Sequence, residues 1–251
     1  MFDFIDERYN RQENMPEWGA HRQKLLREAR VAVIGAGGVK SCLLMSLAAS
    51  GIGYIKIIEF DRVEISNLNR QILYRTSDIG LYKGEAAQKT LQDLNTEIQI
   101  DWSSEKVTSH NIEHLLDDCE LVVEGGESPA GRNLINEYCL IHRKPMVHAS
   151  AQFSYGYVFS VIPEFKTACF ACVFPHDHTR QDSIGAVPVN VLSTSLAGVL
   201  GAAEVLKWFL GYKDRMIFNR KLYFNSLILS GEFENEIHHR NKDCLICSKY
   251  Y

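Results

Sequence analysis

The chain has no excess of positive charge: 27 Lys and Arg stand against 31 Asp and Glu, giving a formal net charge of −4 over 251 residues. Without a broad basic field, nucleic acid is excluded as the main partner. No apolar run approaches the roughly 20 residues that a spanning helix needs. The opening, MFDFIDERYNRQ, is charged where a signal peptide would be apolar. No membrane partner is expected, and the cytoplasm is the expected location. Low-complexity tracts and repeats are missing, and only 6 prolines are spread along the chain, so disorder is expected only at the termini. What is present is 46% hydrophobic residues, enough at this length to bury a sizeable core. Cysteines number 7, and four of them form two CxxC pairs. In a reducing compartment that pattern points to metal rather than to disulfides.

The periodicity predicts a Rossmann-like, doubly wound, mainly parallel α/β sheet continued by antiparallel strands. Residues 31–35 (VAVIG) read as a buried strand. A glycine turn and a helix through VKSCLLMSLAAS follow, then a second strand in YIKIIEF, which together make one βαβ unit. Helices are expected at 83–95 and 130–142, and strands at 97–101, 119–124 and 145–150. After about residue 150 the pattern changes to alternation, in FSYGYVFSVI and again in MIFNRKLYFNSLILSGEFE, with a helix at roughly 190–210 between them. Residues 1–150 thus read as a nucleotide-binding half and 151–251 as an antiparallel half of one continuous domain. The aperiodic stretch 176–190 reads as a surface loop of the kind that carries function.

Two absences narrow the glycine turn. Gly35-Ala36-Gly37-Gly38-Val39-Lys40 lacks the third glycine of G-x-G-x-x-G, and Val39 stands where a Walker A loop needs glycine before Lys40-Ser41. The context still favours a nucleotide, because a glycine turn after a buried strand lets backbone N–H groups at a helix start approach phosphate. Glu59 ends the next strand about 20 residues on, where an acid accepts ribose hydroxyls. The polar run Asp61 to Gln71 lies just beyond that strand end. Within reach of phosphate, Arg70 offers a bidentate fork and Lys83 a point charge. The plainer alternatives are a turn without nucleotide, Arg70 as a helix cap and Lys83 as a solvated surface residue.

Taken in order, RYNRQ, GAGG, EFDRVEISNLNRQILY, DIGLYKGEAA and the two CxxC pairs resemble the ThiF/MoeB/HesA family of ubiquitin-activating-enzyme-like adenylyltransferases, from about residue 7 to residue 247. The resemblance implies that a carboxylate attacks the α-phosphate of ATP, with Mg²⁺ present, to give an acyl adenylate and pyrophosphate. By motif position, Gly35, Gly37 and Gly38 meet the nucleotide, Glu59 and Asp61 hold the ribose, and Asn67, Arg70 and Lys83 contact the phosphates. Arg11 matches an arginine that reaches into the neighbouring subunit's ATP site, which implies a homodimer with Arg11 acting in trans. The alternative for Arg11 is a surface side chain on a frayed helix. Two positions depart from the family. Where relatives carry a metal-binding aspartate this chain has Glu127-Ser128, making Glu127 the expected Mg²⁺ ligand, with Glu124 a second candidate and a helix-dipole charge the plainer reading. Lys40 replaces the third glycine and either leans toward the phosphates or snorkels along the surface.

Cys169, Cys172, Cys244 and Cys247 supply the four thiolates that a structural Zn²⁺ prefers; a redox dithiol is the alternative. Cys42, Cys119 and Cys139 are expected to be inert core residues. Residues 173–190 contain no cysteine for thioester or persulfide chemistry, so the reaction is expected to stop at the adenylate, with His176, Asp177 and His178 in reach of substrate. The resemblance implies the C-terminal glycine of a ubiquitin-like sulfur carrier protein as substrate. A small-molecule carboxylate of cofactor biosynthesis, such as the pyridinol precursor of the iron-guanylylpyridinol cofactor, is the first alternative. A non-catalytic nucleotide-binding partner protein is the second. An NAD-dependent oxidoreductase is disfavoured, since no hydride-transfer acid or base is identifiable.

Overall fold

The computed structural model describes residues 7–126, 128–175, 187–228 and 234–251. The first strand, β1 (Arg30–Ile34), buries four consecutive apolar residues, and β4 (Leu121–Glu124) is buried at every position. Strands without a solvent face belong in a parallel sheet covered on both sides. Accordingly β1 pairs parallel with β2 (Tyr54–Ile58) on one side and with β4 on the other, with Val33 opposite Ile57 and Val123. Outside these, β3 (Gln99–Ser103) joins β2, and β5 (Met146–Gln152) joins β4, both parallel. From β5 onward β6 (Tyr155–Val161), β7 (Arg220–Asn225) and β8 (Glu234–Ile237) add on antiparallel. The result is one eight-stranded sheet in the order β3-β2-β1-β4-β5-β6-β7-β8.

The α-helices in chain order are α1 (Asn10–Glu13), α2 (Gly19–Glu28), α3 (Gly38–Ser50), α4 (Lys83–Leu94), α5 (Ile112–Leu116), α6 (Pro129–Ile141), α7 (Phe170–Val173) and α8 (Val191–Phe209). Two apolar cores result, one on each face of the sheet. Leu43, Leu47, Val33, Val205 and Ala202 belong to one, and Ile34, Val122, Ile135, Phe159 and Phe170 to the other. No strong apolar stripe marks α2, which buries only Gln23 and Leu26, and sequence patterning gives no element there. The strand expected at 119–124 begins two residues later, because Cys119 N still donates to Leu116 O at the end of α5. The strand expected at 97–101 runs instead from Gln99 to Ser103. The long alternating segment 216–234 yields β7 and then, from Glu234, β8.

The expectation about apolar runs is corrected at α8, whose 19 residues are long and apolar enough to cross a membrane by length and composition. Inside the fold α8 is a core helix. An added Cβ at Gly198 would lie 2.2 Å from Val39 O of α3, and one at Gly201 would lie 3.0 Å from the Ala149 side chain of β5. Its buried Glu204 accepts hydrogen bonds from Ser160 Oγ (2.9 Å) and Ile217 N (2.5 Å), which a membrane-spanning segment would not supply.

Candidate active site

At the carboxyl ends of β1, β2 and β4 the glycine turn opens a cavity of about 350 Å³, lined among others by Gly35, Gly37, Gly38, Glu59, Asp61 and Lys83. This is the point where strand order reverses, with β2 on one side of β1 and β4 on the other, and where open α/β sheets bind ligands. A larger recess of about 560 Å³ lies between Tyr9, Arg27, Gly53 and Glu97, but at the amino ends of the strands.

The turn is held from several directions. Glu59, only 7% exposed, accepts from Ala36 N on one carboxylate oxygen (2.8 Å) and from Asp61 N on the other (2.9 Å). A carboxylate offers about four lone-pair sites, so Glu59 braces the turn and retains acceptor capacity toward the cavity. Tyr74 donates to Ala36 O at 2.6 Å. Burial, with Glu59 and Asp61 nearby, raises the Tyr74 pKa and keeps the phenol a neutral donor. Lys83 opens α4 and is buried, its Nζ 3.0 Å from Asp61 Oδ2, so the reading of Lys83 as a solvated surface residue is corrected. Phe60 and Lys106 also line the cavity. Phe60 presents an exposed ring at the strand end, able to stack on a base. Sequence reading missed Phe60, Tyr74 and Lys106; for Phe60 the available signal was an aromatic directly after Glu59.

Lys40 is 4% exposed, which removes the surface-snorkelling alternative. Its ammonium donates to Glu124 O (2.9 Å) at the end of β4 and to Ala149 O (3.3 Å) in the middle of β5. Burial pushes its pKa down to about 8, against the opposing charge of Glu124. The Glu124 side chain turns away from the cavity and pairs with His148 Nδ1, both side chains fully buried. Burial alone would raise the Glu124 carboxyl, but His148, Arg132 and Lys40 outweigh it and hold the pKa below the usual range. Burial lowers the His148 pKa against the raising charge of Glu124, and opposite an ionised Glu124 it is Nδ1 that donates. Glu124 is therefore not placed to hold Mg²⁺, a correction to its candidacy. Glu127, His176, Asp177 and His178 lie outside the described residues.

Other expected contacts are not assembled here. Asn67 is buried, but its Oδ1 accepts from Glu64 N in a local cap, and Arg70 donates to Ser66 O and Asn69 Oδ1. Neither lines the cavity. The Arg70 stem does lie against the turn, since an added Cβ at Gly38 would be 3.4 Å from its Cγ. Arg11 is exposed on α1, and its neighbour Gln12 donates to Ser50 O at the C-terminal end of α3. The 13 residues of α3 span about 20 Å, which separates Arg11 from the cavity of its own chain.

The four CxxC sulfurs lie within 4.8 Å of one another. Cys169 and Cys172 are 3.8 Å apart, Cys169 and Cys244 3.8 Å, and Cys172 and Cys247 3.6 Å. A disulfide would be about 2.05 Å, whereas a tetrahedron with metal–sulfur bonds of about 2.3 Å has edges of about 3.8 Å. Asn241 N also donates to Cys172 Sγ at 3.4 Å. The set fits a four-coordinate metal ion with no open position. Cys119 and Cys139 are buried, and burial raises their thiols, Cys119 to about 12, as expected for inert residues.

Residues 9–246 match the model of the ThiF family. The chain is 33% identical over 244 residues to the adenylyltransferase and sulfurtransferase MOCS3 of Culex quinquefasciatus, covering 96% of this chain and 55% of that protein. It is 34% identical over 251 residues to the sulfur carrier protein adenylyltransferase of Thermus thermophilus, covering 96% of this chain and 90% of that protein. The chain thus spans about half the length of the MOCS3 relatives. A crystal structure of Escherichia coli MccB with MccA-N7isoASN superposes with a TM-score of 0.84 at 24% identity, over 97% of this chain and 74% of that one; at that identity the likeness speaks for the fold. Matched by that family model over nearly its whole length, the chain belongs to the ThiF family.

Proposed function

We propose that the chain is an ATP-dependent adenylyltransferase whose substrate is the C-terminal glycine carboxylate of a ubiquitin-like sulfur carrier protein. The observation that carries the reading is the cavity where the glycine turn, the braced Glu59 and the buried Lys83 converge at the strand-order reversal. The carrier as substrate is supported by the Thermus thermophilus relative, which this chain matches over 90% of that relative's length.

Glu59, with Asp61, holds the ribose, while the turn amides and Lys83 hold the phosphates. A carboxylate oxygen of the substrate forms a bond to the α-phosphorus, the bond from that phosphorus to the β-bridging oxygen breaks, and pyrophosphate leaves with its electron pair. Mg²⁺, assigned to Glu127, supplies charge neutralisation at the phosphates when bound. Asn67 and Arg70, which bond locally outside the cavity lining, are assigned to the phosphates by motif position. Arg11 serves the cavity of a second copy, so the working form is a homodimer in the cytoplasm; the separation along α3 supports this. Zn²⁺ at Cys169, Cys172, Cys244 and Cys247 is structural.

Exchange of label between pyrophosphate and ATP tests the reading. Exchange that depends on a carrier ending in glycine, and disappears when that terminus is amidated, is the expected result. Exchange elicited only by a free small carboxylate would overturn the carrier assignment, and binding of nucleotide with no exchange under any carboxylate would overturn catalysis.

A further inference from the structure

Lys40 is a buried cation for which neither the fold nor the proposed chemistry accounts. An ammonium has three donors. Two are taken by Glu124 O and Ala149 O, both neutral carbonyls. The nearby Glu124 carboxylate pairs with His148 instead. A buried charge whose direct hydrogen-bond partners are neutral is poorly compensated; Lys40 is 4% exposed, and the Glu124 carboxylate acts on it only at a distance. It nevertheless forms part of the wall of the same cavity as the glycine turn.

Its position along the sheet identifies what it faces. Strands run β2, β1, β4, β5 across the cavity, with Glu59 just past β2, the turn at β1, and Lys40 bound at β4 and β5. Glu59 and the β5 carbonyl are thus three strand spacings apart, about 14 Å. A nucleotide with its ribose at Glu59 and its phosphates at the N-terminus of α3 extends toward Lys40, not away from it. Among the described residues the wall beside Lys40 is bare. An added Cβ at Gly125 (φ +146°) would lie 2.0 Å from Ala149 O and 3.0 Å from Lys40 Nζ, whereas one at Gly126 would meet nothing within 4 Å. At Gly125 and Gly126 the backbone therefore carries no side chain where the ammonium meets the cavity.

We infer that Lys40 is a phosphate-binding residue, its remaining N–H donating to an oxygen of the nucleotide's phosphate chain from the β4–β5 side. This rests on the nucleotide part of the function proposed above. Lys83 and the turn amides approach the same chain from the other side, so the phosphates are held between two buried lysines.

Titration of the full-length chain with α,β-methylene ATP plus Mg²⁺, and separately with adenosine, tests this. For Lys40→Met the expected result is binding of the methylene analogue weakened about 10- to 100-fold, as for a lost charged hydrogen bond, with adenosine affinity unchanged. For Lys40→Arg, which keeps the charge, a smaller loss is expected. Retained adenosine binding shows that the variant pocket is folded. Lys40→Met binding the methylene analogue as tightly as the wild type overturns the inference, as does a parallel loss for both ligands, which would mark Lys40 as a support for the β4–β5 wall alone. A wild-type chain that binds neither ligand overturns the nucleotide reading itself, a result distinct from either Lys40 outcome.

Discussion

The carboxyl-end cavity and the cysteine corner are built in opposite ways. In the cavity, the groups that brace the turn find their partners within the protein: both Glu59 oxygens accept backbone N–H groups, and Ala36 O accepts from Tyr74. In the corner, four sulfurs are drawn together across 75 residues of sequence, with sulfur–sulfur approaches as their main contacts. A cavity braced by its own backbone stands without a ligand. On the proposed reading the corner depends on a metal ion for its stability, because unmetallated thiols make only weak hydrogen bonds.

The comparison predicts that the corner is the most sensitive place. Replacing Cys244 and Cys247 together by serine should remove one equivalent of zinc and cost several kcal/mol of folding free energy, read by elemental analysis and thermal melting. An unchanged melting curve would break the contrast. Next in size, Glu124→Ala leaves His148 buried without its carboxylate and should cost about 3–5 kcal/mol, measured by denaturant unfolding. Glu124→Gln should cost less, since its amide oxygen still accepts from His148 Nδ1. Smaller again, Glu59→Ala leaves two turn amides without an acceptor and should cost about 1–3 kcal/mol, together with a loss of ATP affinity visible by calorimetry. If ATP affinity falls while stability does not, the brace matters less than the ribose contact. Least of all, Arg11→Ala should leave stability unchanged within about 0.5 kcal/mol yet abolish pyrophosphate exchange. Mixing that variant with a Lys83→Ala chain should restore part of the activity if Arg11 acts in trans, and a mixture that stays inactive argues against it.

The cavity was legible where chemistry follows strand ends. Gly35, Gly37, Gly38, Glu59, Asp61 and Lys83 stand at fixed offsets from buried strands and line one space. The CxxC spacing likewise foretold the four-sulfur cluster, since only thiols explain such pairs. Less legible were side chains whose partners come from distant backbone. Nothing in the sequence says that Lys40 crosses to carbonyls 84 and 109 residues away, or that Glu124 faces His148 rather than the ligand, because a strand's last residue can point to either side. Asn67 and Arg70 were legible as motif members, but their local hydrogen bonds in a 3₁₀ turn compete with ligand contacts, and short-range competition of this kind leaves no trace in spacing. In the fold, alternation located β6 and β7, whereas α2 escaped because its apolar face is too sparse to show a helical period.

Gly38 touches two elements at once. A methyl group added there would come within 2.9 Å of Thr194 Cγ2 on the first turn of α8, and that turn is tied through Asn190 and Ser193 to Phe153 O at the start of the antiparallel strands. The floor of the cavity and the joint between the sheet's two halves therefore share one close contact, and any side chain at position 38 would press on the helix that anchors the second half.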